Sequence, residues 1–276
     1  MSQELPFSPA DYTITAEGLF AVARVRPDLP PCSRCDGSGR ATQIIDGVVT
    51  VGRCRCRMLH DRVELFNRAS IPARHGSSTL RSFKRKSPDQ ERAYDAVKSW
   101  LRAYKPGQHN RGLLLFGEVG RGKTHLLVAA LRELILRHGV QARFVEFTHL
   151  LSELREGYDQ GRSEEALIGS LVQVEALAID DLGQGRRTDW EISILDSLIT
   201  RRYNLMRTLI ATSNYAPGPS DGLSEQNLAS PRKLKLVDRV GERSYSRLNE
   251  LCSFVPVTGE DYRIVNSRLA PQDDGG

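Results

Sequence analysis

The stretch GEVGRGKTH, residues 117–125, decides how this chain is read. Gly117 and Gly122 frame four residues, Glu118, Val119, Gly120 and Arg121, and are followed directly by Lys123, Thr124 and His125. In that spacing backbone N–H groups turn toward a phosphate, a lysine reaches the β- and γ-phosphates, and a threonine hydroxyl binds Mg²⁺. The flanks fit. Leu113, Leu114, Leu115 and Phe116 form a short apolar run, as expected for a strand buried on both faces. Behind the glycines, Leu126, Leu127, Ala130, Leu131, Leu134 and Ile135 recur at helical spacing up to Gly139. A strand, a glycine loop and a helix N-terminus carrying roughly half a positive charge make an anion cradle. The bland alternative, a glycine turn that happens to precede Lys-Thr, explains neither flank.

Two further apolar runs end in polar groups. LAIDDLG, residues 177–183, would deliver Asp180 to a nucleotide-bound Mg²⁺ and Asp181 to the attacking water. Asp181 is one methylene shorter than glutamate, which leaves water positioning less assured than binding. TLIATSN, residues 208–214, would place Asn214 between the other two strands. Further on, Arg239, Arg243 and Arg247 recur every fourth residue, which predicts one helical face. Such a stripe is ordinarily solvated. At a subunit edge, however, an arginine can complete a neighbour's site, with Arg243 favoured and Arg247 the competitor.

At 276 residues and 39% apolar content, the chain can bury one main core and a small appendage. Lys and Arg outnumber Asp and Glu by 39 to 34, a formal +5 that favours an anionic partner without naming it. No run is long enough for a signal h-region or a membrane span, so a cytoplasmic protein with no membrane partner is expected.

Cys32, Cys35, Cys54 and Cys56 crowd into CSRC and CRC, two tight pairs able to place four thiolates tetrahedrally around Zn²⁺. Free thiols or a redox pair are the alternative. His60 follows at a gap that makes it a bystander. Arg34, Arg53, Arg55 and Arg57 either offset the net charge of about −2 on a four-thiolate zinc site or contact phosphates or an acidic partner. The expected organisation is a zinc-binding module over residues 1–64, an ATPase domain over 65–266 and a disordered tail over 267–276. Residues 76–91, which include RSFKRK at 81–86, read as a linker or a DNA-facing strip, and 216–231 as a mobile loop.

IPAR at 71–74, the cradle, AIDDLGQGRRTDWEISILDSLITRRYN, IATSNYAP, RVGERSYSRL and GEDYR together resemble the DnaC/DnaI/IstB branch of AAA+ proteins. These are bacterial replicative helicase loaders and their transposition relatives. The likeness covers residues 65–265 and is most distinctive after Asp181. It implies an α/β fold, a AAA+ P-loop NTPase core with a parallel sheet between helices, plus the small N-terminal zinc module, which resembles DnaI-type and phage loaders. It implies ATP hydrolysis with Mg²⁺, Asn214 sensing the γ-phosphate and Arg263 as the sensor-II arginine. The implied partners are a replicative DnaB-type helicase, single-stranded DNA and further copies of the chain when ATP is bound. Tyr158 and Arg162 lie where this branch engages DNA. About twenty residues follow the last expected strand, too few for the helical lid of larger AAA+ proteins. An IstB-like transposition helper and an ATP-gated binding module with little hydrolysis are the other readings.

Overall fold

The structure, a computed structural model, describes residues 7–45, 47–218 and 234–262. Five strands form one all-parallel sheet: β5 (Gly112–Phe116), β6 (Ala142–Glu146), β7 (Ala176–Asp180), β8 (Thr208–Ser213) and β9 (Cys252–Pro256). Their spatial order is β6-β7-β8-β5-β9. The three expected runs become the three inner strands, with β8 between β5 and β7.

Alternate side chains of these strands enter different cores, as a pleat of period two requires. Leu113, Leu115, Ala176, Ala178 and Ile210 face one core, shared with helices α1 (Arg57–Arg68), α2 (Pro88–Ala103) and α3 (Lys123–Glu133). Leu114, Leu177, Ile179, Leu209 and Ala211 face the other. That side is covered by α4 (Phe147–Asp159), α5 (Glu164–Gln173), α6 (Asp189–Asn204), α7 (Leu236–Val240) and α8 (Glu242–Leu251). The helices start where the sequence provides caps. Ser87 accepts from Gln90 N–H (3.3 Å) ahead of Pro88, and Thr188 with Glu191 closes a capping box on α6. Helix α3 runs through one π turn to Gly139, which ends it at φ 72°.

The N-terminal region divides differently from the expectation. Strands β1 (Tyr12–Glu17) and β2 (Phe20–Val25) form a hairpin whose Ala21 and Ala23 join the first core. It is stitched on by Ala21 N–H to Ile71 O (2.8 Å), Ala73 N–H to Leu19 O (2.9 Å) and Ala23 N–H to Asn67 Oδ1 (2.7 Å). The boundary placed after residue 64 therefore cuts through α1 and separates Ala21, Ala23, Leu59 and Val63 from the core they share with Phe66. Among the described residues, no side chain from 30 to 58 joins either core. The part that stands apart is a ribbon of β3 (Arg40–Ile45) and β4 (Val48–Arg53) between the two cysteine pairs.

Gly157 lies inside α4, where Leu167 packs against it, and α4 and α5 join at Gln160–Ser163, with Gly161 at φ 74°. One smaller expectation shifts as well. Arg239, Arg243 and Arg247 do not share one helix. Gly241, at φ 81°, separates α7 from α8. The tail from 267 lies outside the described residues, as does the loop from 219 to 231. No helix among the described residues is long and apolar enough to cross a membrane.

Arg202 in α6 is fully buried and donates to the carbonyls of Leu171, Val172, Val174, Glu175 and Thr208, clamping the end of α5 to the start of β8. Desolvation lowers its pKa to about 9. Arg202→Ala orphans several of these carbonyls at about 1–3 kcal/mol each and opens a cavity, for an expected loss on the order of 3–5 kcal/mol. Urea unfolding reads it directly, and an unchanged midpoint contradicts the clamp.

Candidate functional site

The cradle forms where β5 ends. Gly117 (φ 149°) runs so close to the Val257 carbonyl that a β-carbon would collide with it, and Gly120 and Gly122 have φ 80° and 92°. Only glycine takes these conformations freely. Lys123 opens α3 and is buried. Its ammonium donates to Gly117 O (2.9 Å), Glu118 O (2.8 Å) and Asn214 Oδ1 (2.6 Å). Thr124 Oγ1 donates to Asp180 Oδ1 (3.0 Å) at the end of β7. Asn214, just past β8, donates from Nδ2 to Asp181 Oδ1 (3.3 Å). The lysine, threonine, two acids and amide drawn from three separate stretches of sequence thus meet at one end of the sheet.

Thr212 belongs to the same network, although nothing in the sequence set it apart from the polar end of its strand. Its buried hydroxyl donates to Asp180 Oδ1 (2.6 Å) and accepts from Asp181 N–H (2.8 Å). Asp181 itself turns off the strand at φ 54°. Desolvation pushes the Asp180 carboxyl up to about 6, against the Thr212 hydrogen bond that lowers it. A divalent cation at this spot would favour the charged form and offset that penalty, so a buried carboxylate beside a threonine hydroxyl fits Mg²⁺.

A cavity of 410 Å³ opens beside the cradle, within the range of about 300–1,000 Å³ usual for ligand sites. Its far wall comes from Arg74, His75, Phe83, Lys84 and Tyr262, from segments distant in sequence. Phe83 is buried, with its ring centroid 5.9 Å from that of Tyr262 and 5.5 Å from the His125 ring. So 81–86 is no free linker: Phe83 anchors it, while Arg85 pairs with Glu91 (3.1 Å) and stacks on Tyr94 (4.6 Å). His125 lines this wall and donates through Nε2 to Thr79 O (2.8 Å), while burial lowers its pKa. The Asp261 carboxylate lies against Gly120, and Tyr262 N–H donates to Gly120 O (3.0 Å). Glu118 and Arg121 pair on the rim (2.6 Å), and Val119 is exposed. Arg263 lies outside the described residues.

The three arginines have three different fates. Arg239 faces inward, with Nε to Gly183 O (2.8 Å) and its guanidinium over Tyr215 (5.1 Å). Arg247 is paired with Asp196 (3.2 Å). Arg243 is exposed and forms no hydrogen bond or ion pair with any described residue.

Cys32, Cys35, Cys54 and Cys56 converge, with all four sulfurs within 4.8 Å of one another. Cys32 and Cys54 are 3.8 Å apart, Cys35 and Cys56 3.4 Å, and Gly39 N–H points at the Cys35 sulfur (3.3 Å). Four thiolates about 2.3 Å from one ion stand about 3.8 Å from each other, so the cluster has the dimensions of a tetrahedral thiolate site. His60 is not part of it.

The parallel sheet, the glycine loop after β5 and the acids after β7 define a AAA+ P-loop NTPase core. A crystal structure of the DnaC helicase loader superposes with a TM-score of 0.56 at 26% identity, covering 67% of this chain and 99% of that one. The chain belongs to the family of IstB-like ATP binding proteins, matched over residues 96–270. It is 30% identical over 185 residues to the uncharacterized protein YqaM of Bacillus subtilis, covering 64% of this chain but only 53% of that relative. It is 25% identical over 185 residues to the replicative helicase loader DnaC of Escherichia coli, covering 66% of this chain and 67% of DnaC.

Proposed function

We propose that the chain is an ATP-hydrolysing AAA+ protein that acts as a helicase loader, with a DnaB-type replicative helicase as its partner. The observation that carries the ATPase reading is the single network joining Lys123, Thr124, Asp180, Asp181 and Asn214. Lys123 and the backbone of residues 117–122 take the phosphates, exchanging the carbonyls that Lys123 now holds for phosphate oxygens. Thr124 and Asp180 would hold Mg²⁺, whose charge would offset that of the phosphates. Asp181 accepts the proton of the attacking water, and Asn214, already bonded to both Lys123 and Asp181, reports on the γ-phosphate. Arg263 is the further contact implied on that phosphate. The Phe83–Tyr262 wall takes the base.

The finger in trans is assigned to Arg243, because Arg247 is already engaged by Asp196 while Arg243 is exposed and unpaired among the described residues. Single-stranded DNA is assigned to the end of α4 and the start of α6. There Tyr158 meets Trp190 edge to face (6.2 Å) and Arg155 lies over the Trp190 ring (4.9 Å), a combination suited to stacked bases and phosphates. Arg162, bonded to Gln160 (2.9 Å), stands next to that patch in sequence.

Likeness to the loader DnaC supports the helicase as partner, and the IstB-like family match supports a transposition helper as the second reading. Affinity capture against purified replicative helicase and against a transposase separates them. Capture of the transposase alone removes the loader reading.

Zinc is assigned to the four cysteines. The metal-bound chain is expected to carry about one Zn²⁺, worth on the order of 10 kcal/mol to the ribbon. Cys35→Ser is expected to lose the metal while ATP binding persists, because the ribbon contributes nothing to either core. Metal analysis and nucleotide titration check both halves. Full zinc retention in the variant contradicts the assignment.

A further inference from the structure

The cysteine ribbon carries more arginines than its own carboxylates pair with. Within residues 32–57 there are five arginines, Arg34, Arg40, Arg53, Arg55 and Arg57, against two aspartates. Arg40 and Arg53 are directly opposite each other across the β3–β4 ladder. Like charges in that position destabilise a strand pair. A third arginine comes to the same place from α1: the Arg57 side chain lies across Gly39, where a β-carbon would meet its Cδ at 2.6 Å. The three guanidinium-bearing side chains line one open cavity of 630 Å³, together with Ser38, Gly39, Val51 and Gly52. Arg53 is held by Asp61. Arg40 and Arg57 form no ion pair with any described residue.

The same face continues toward the hairpin tip with a different chemistry. Residues two apart on a strand share a face, and so do direct cross-strand partners. Arg40–Arg53, Thr42–Val51 and Ile44–Val49 therefore form three successive rungs on one side of the ribbon. Ile44, Val49 and Val51 are 73%, 67% and 70% exposed, which is unusual for β-branched residues in a described strand. The ribbon thus presents methyl groups at its tip and three arginine side chains around one cavity at its base.

We propose that this face binds duplex DNA, with Arg40, Arg53 and Arg57 on backbone phosphates and the Ile44–Val49–Val51 strip entering a groove. The complementarity is one of both charge and shape. A two-stranded β-ribbon fits the major groove of about 12 Å, where thymine methyls offer apolar contact, while arginines at its edge meet phosphates. The arginine pair that costs stability in the free ribbon gains an anion between its members. This site is separate from the nucleotide cavity and from the Tyr158–Trp190 patch, and it does not depend on hydrolysis.

The test is anisotropy of a labelled 20-base-pair duplex titrated with the full-length protein without nucleotide, over a series of salt concentrations. Each phosphate contact adds about one to the slope of log affinity against log salt. Arg40→Gln is expected to lower that slope by about one, and Arg40→Gln with Arg57→Gln by about two, with zinc content and ATP binding intact. Arg40→Lys, which keeps the charge, is expected to retain the slope. A slope and affinity unchanged in the double variant overturn the proposal. So does competition by polyglutamate of equal charge as effective as that by unlabelled duplex, which assigns the face to an acidic protein.

Discussion

Lys123→Ala is expected to abolish ATP binding, and Asp181→Asn to leave binding intact while lowering turnover on the order of 10²- to 10⁴-fold. The contrast follows from what each side chain touches. The Lys123 ammonium sits within the cradle on two loop carbonyls and Asn214, so its removal deletes the charge that offsets the phosphates. Among the described residues, the Asp181 carboxylate hydrogen-bonds only Asn214 Nδ2, while its backbone N–H is fixed by Thr212. The amide isostere keeps that geometry and loses the base. Isothermal titration with ATP and steady-state phosphate release measure the two effects separately. If the unaltered protein, with DNA and partner present, turns over no faster than Asp181→Asn, the chain is an ATP-gated binding module.

Arg243→Ala is expected to lower turnover about 10³- to 10⁵-fold at saturating protein, again without loss of ATP binding. The effect is specific to assembly, because Arg243 is exposed on α8 and reaches nothing within its own described chain. Mixing supplies the decisive readout. Arg243→Ala retains a working cradle, and Lys123→Ala retains a working finger. Two inactive variants are therefore expected to recover activity together, at junctions where the second lends its arginine to the first. Silence at every mixing ratio contradicts a finger in trans. Arg247→Ala is expected to act mainly through stability, since it breaks the Asp196 pair.

The central sheet was legible because β5, β7 and β8 are buried on both faces and therefore read as unbroken apolar runs, each ending in polar groups where the sheet meets solvent. Lys123, Thr124, Asp180, Asp181 and Asn214 follow from those endings. The cavity wall was not legible. Phe83 and Tyr262 lie nearly the full length of the domain apart and carry no periodic mark, so only the packing of 81–86 against α3 brings them together. Nothing in the sequence separates Arg202 from its neighbour Arg201, which pairs with Glu165 (2.5 Å) at the surface of the same helix. The arginine stripe failed for a local reason: Gly241 takes a backbone conformation that ends one helix and starts another. The two cysteine pairs revealed their convergence, but not the hairpin between them, whose β-branched residues face outward and carry no core signal.

The stitching of β1 and β2 onto α1 sets how the molecule can be taken apart. Shortening the chain from its N-terminus to residue 65 would strip Ala21, Ala23, Leu59 and Val63 from an otherwise intact hydrophobic layer and leave Phe66 facing water. Looping out the cysteine ribbon alone, with a short bridge from just after Leu29 to the beginning of α1, spares that layer. Evolutionary exchange or loss of the ribbon would meet the same constraint, so it is placed to vary as an insertion, while the hairpin before it must travel with the AAA+ core.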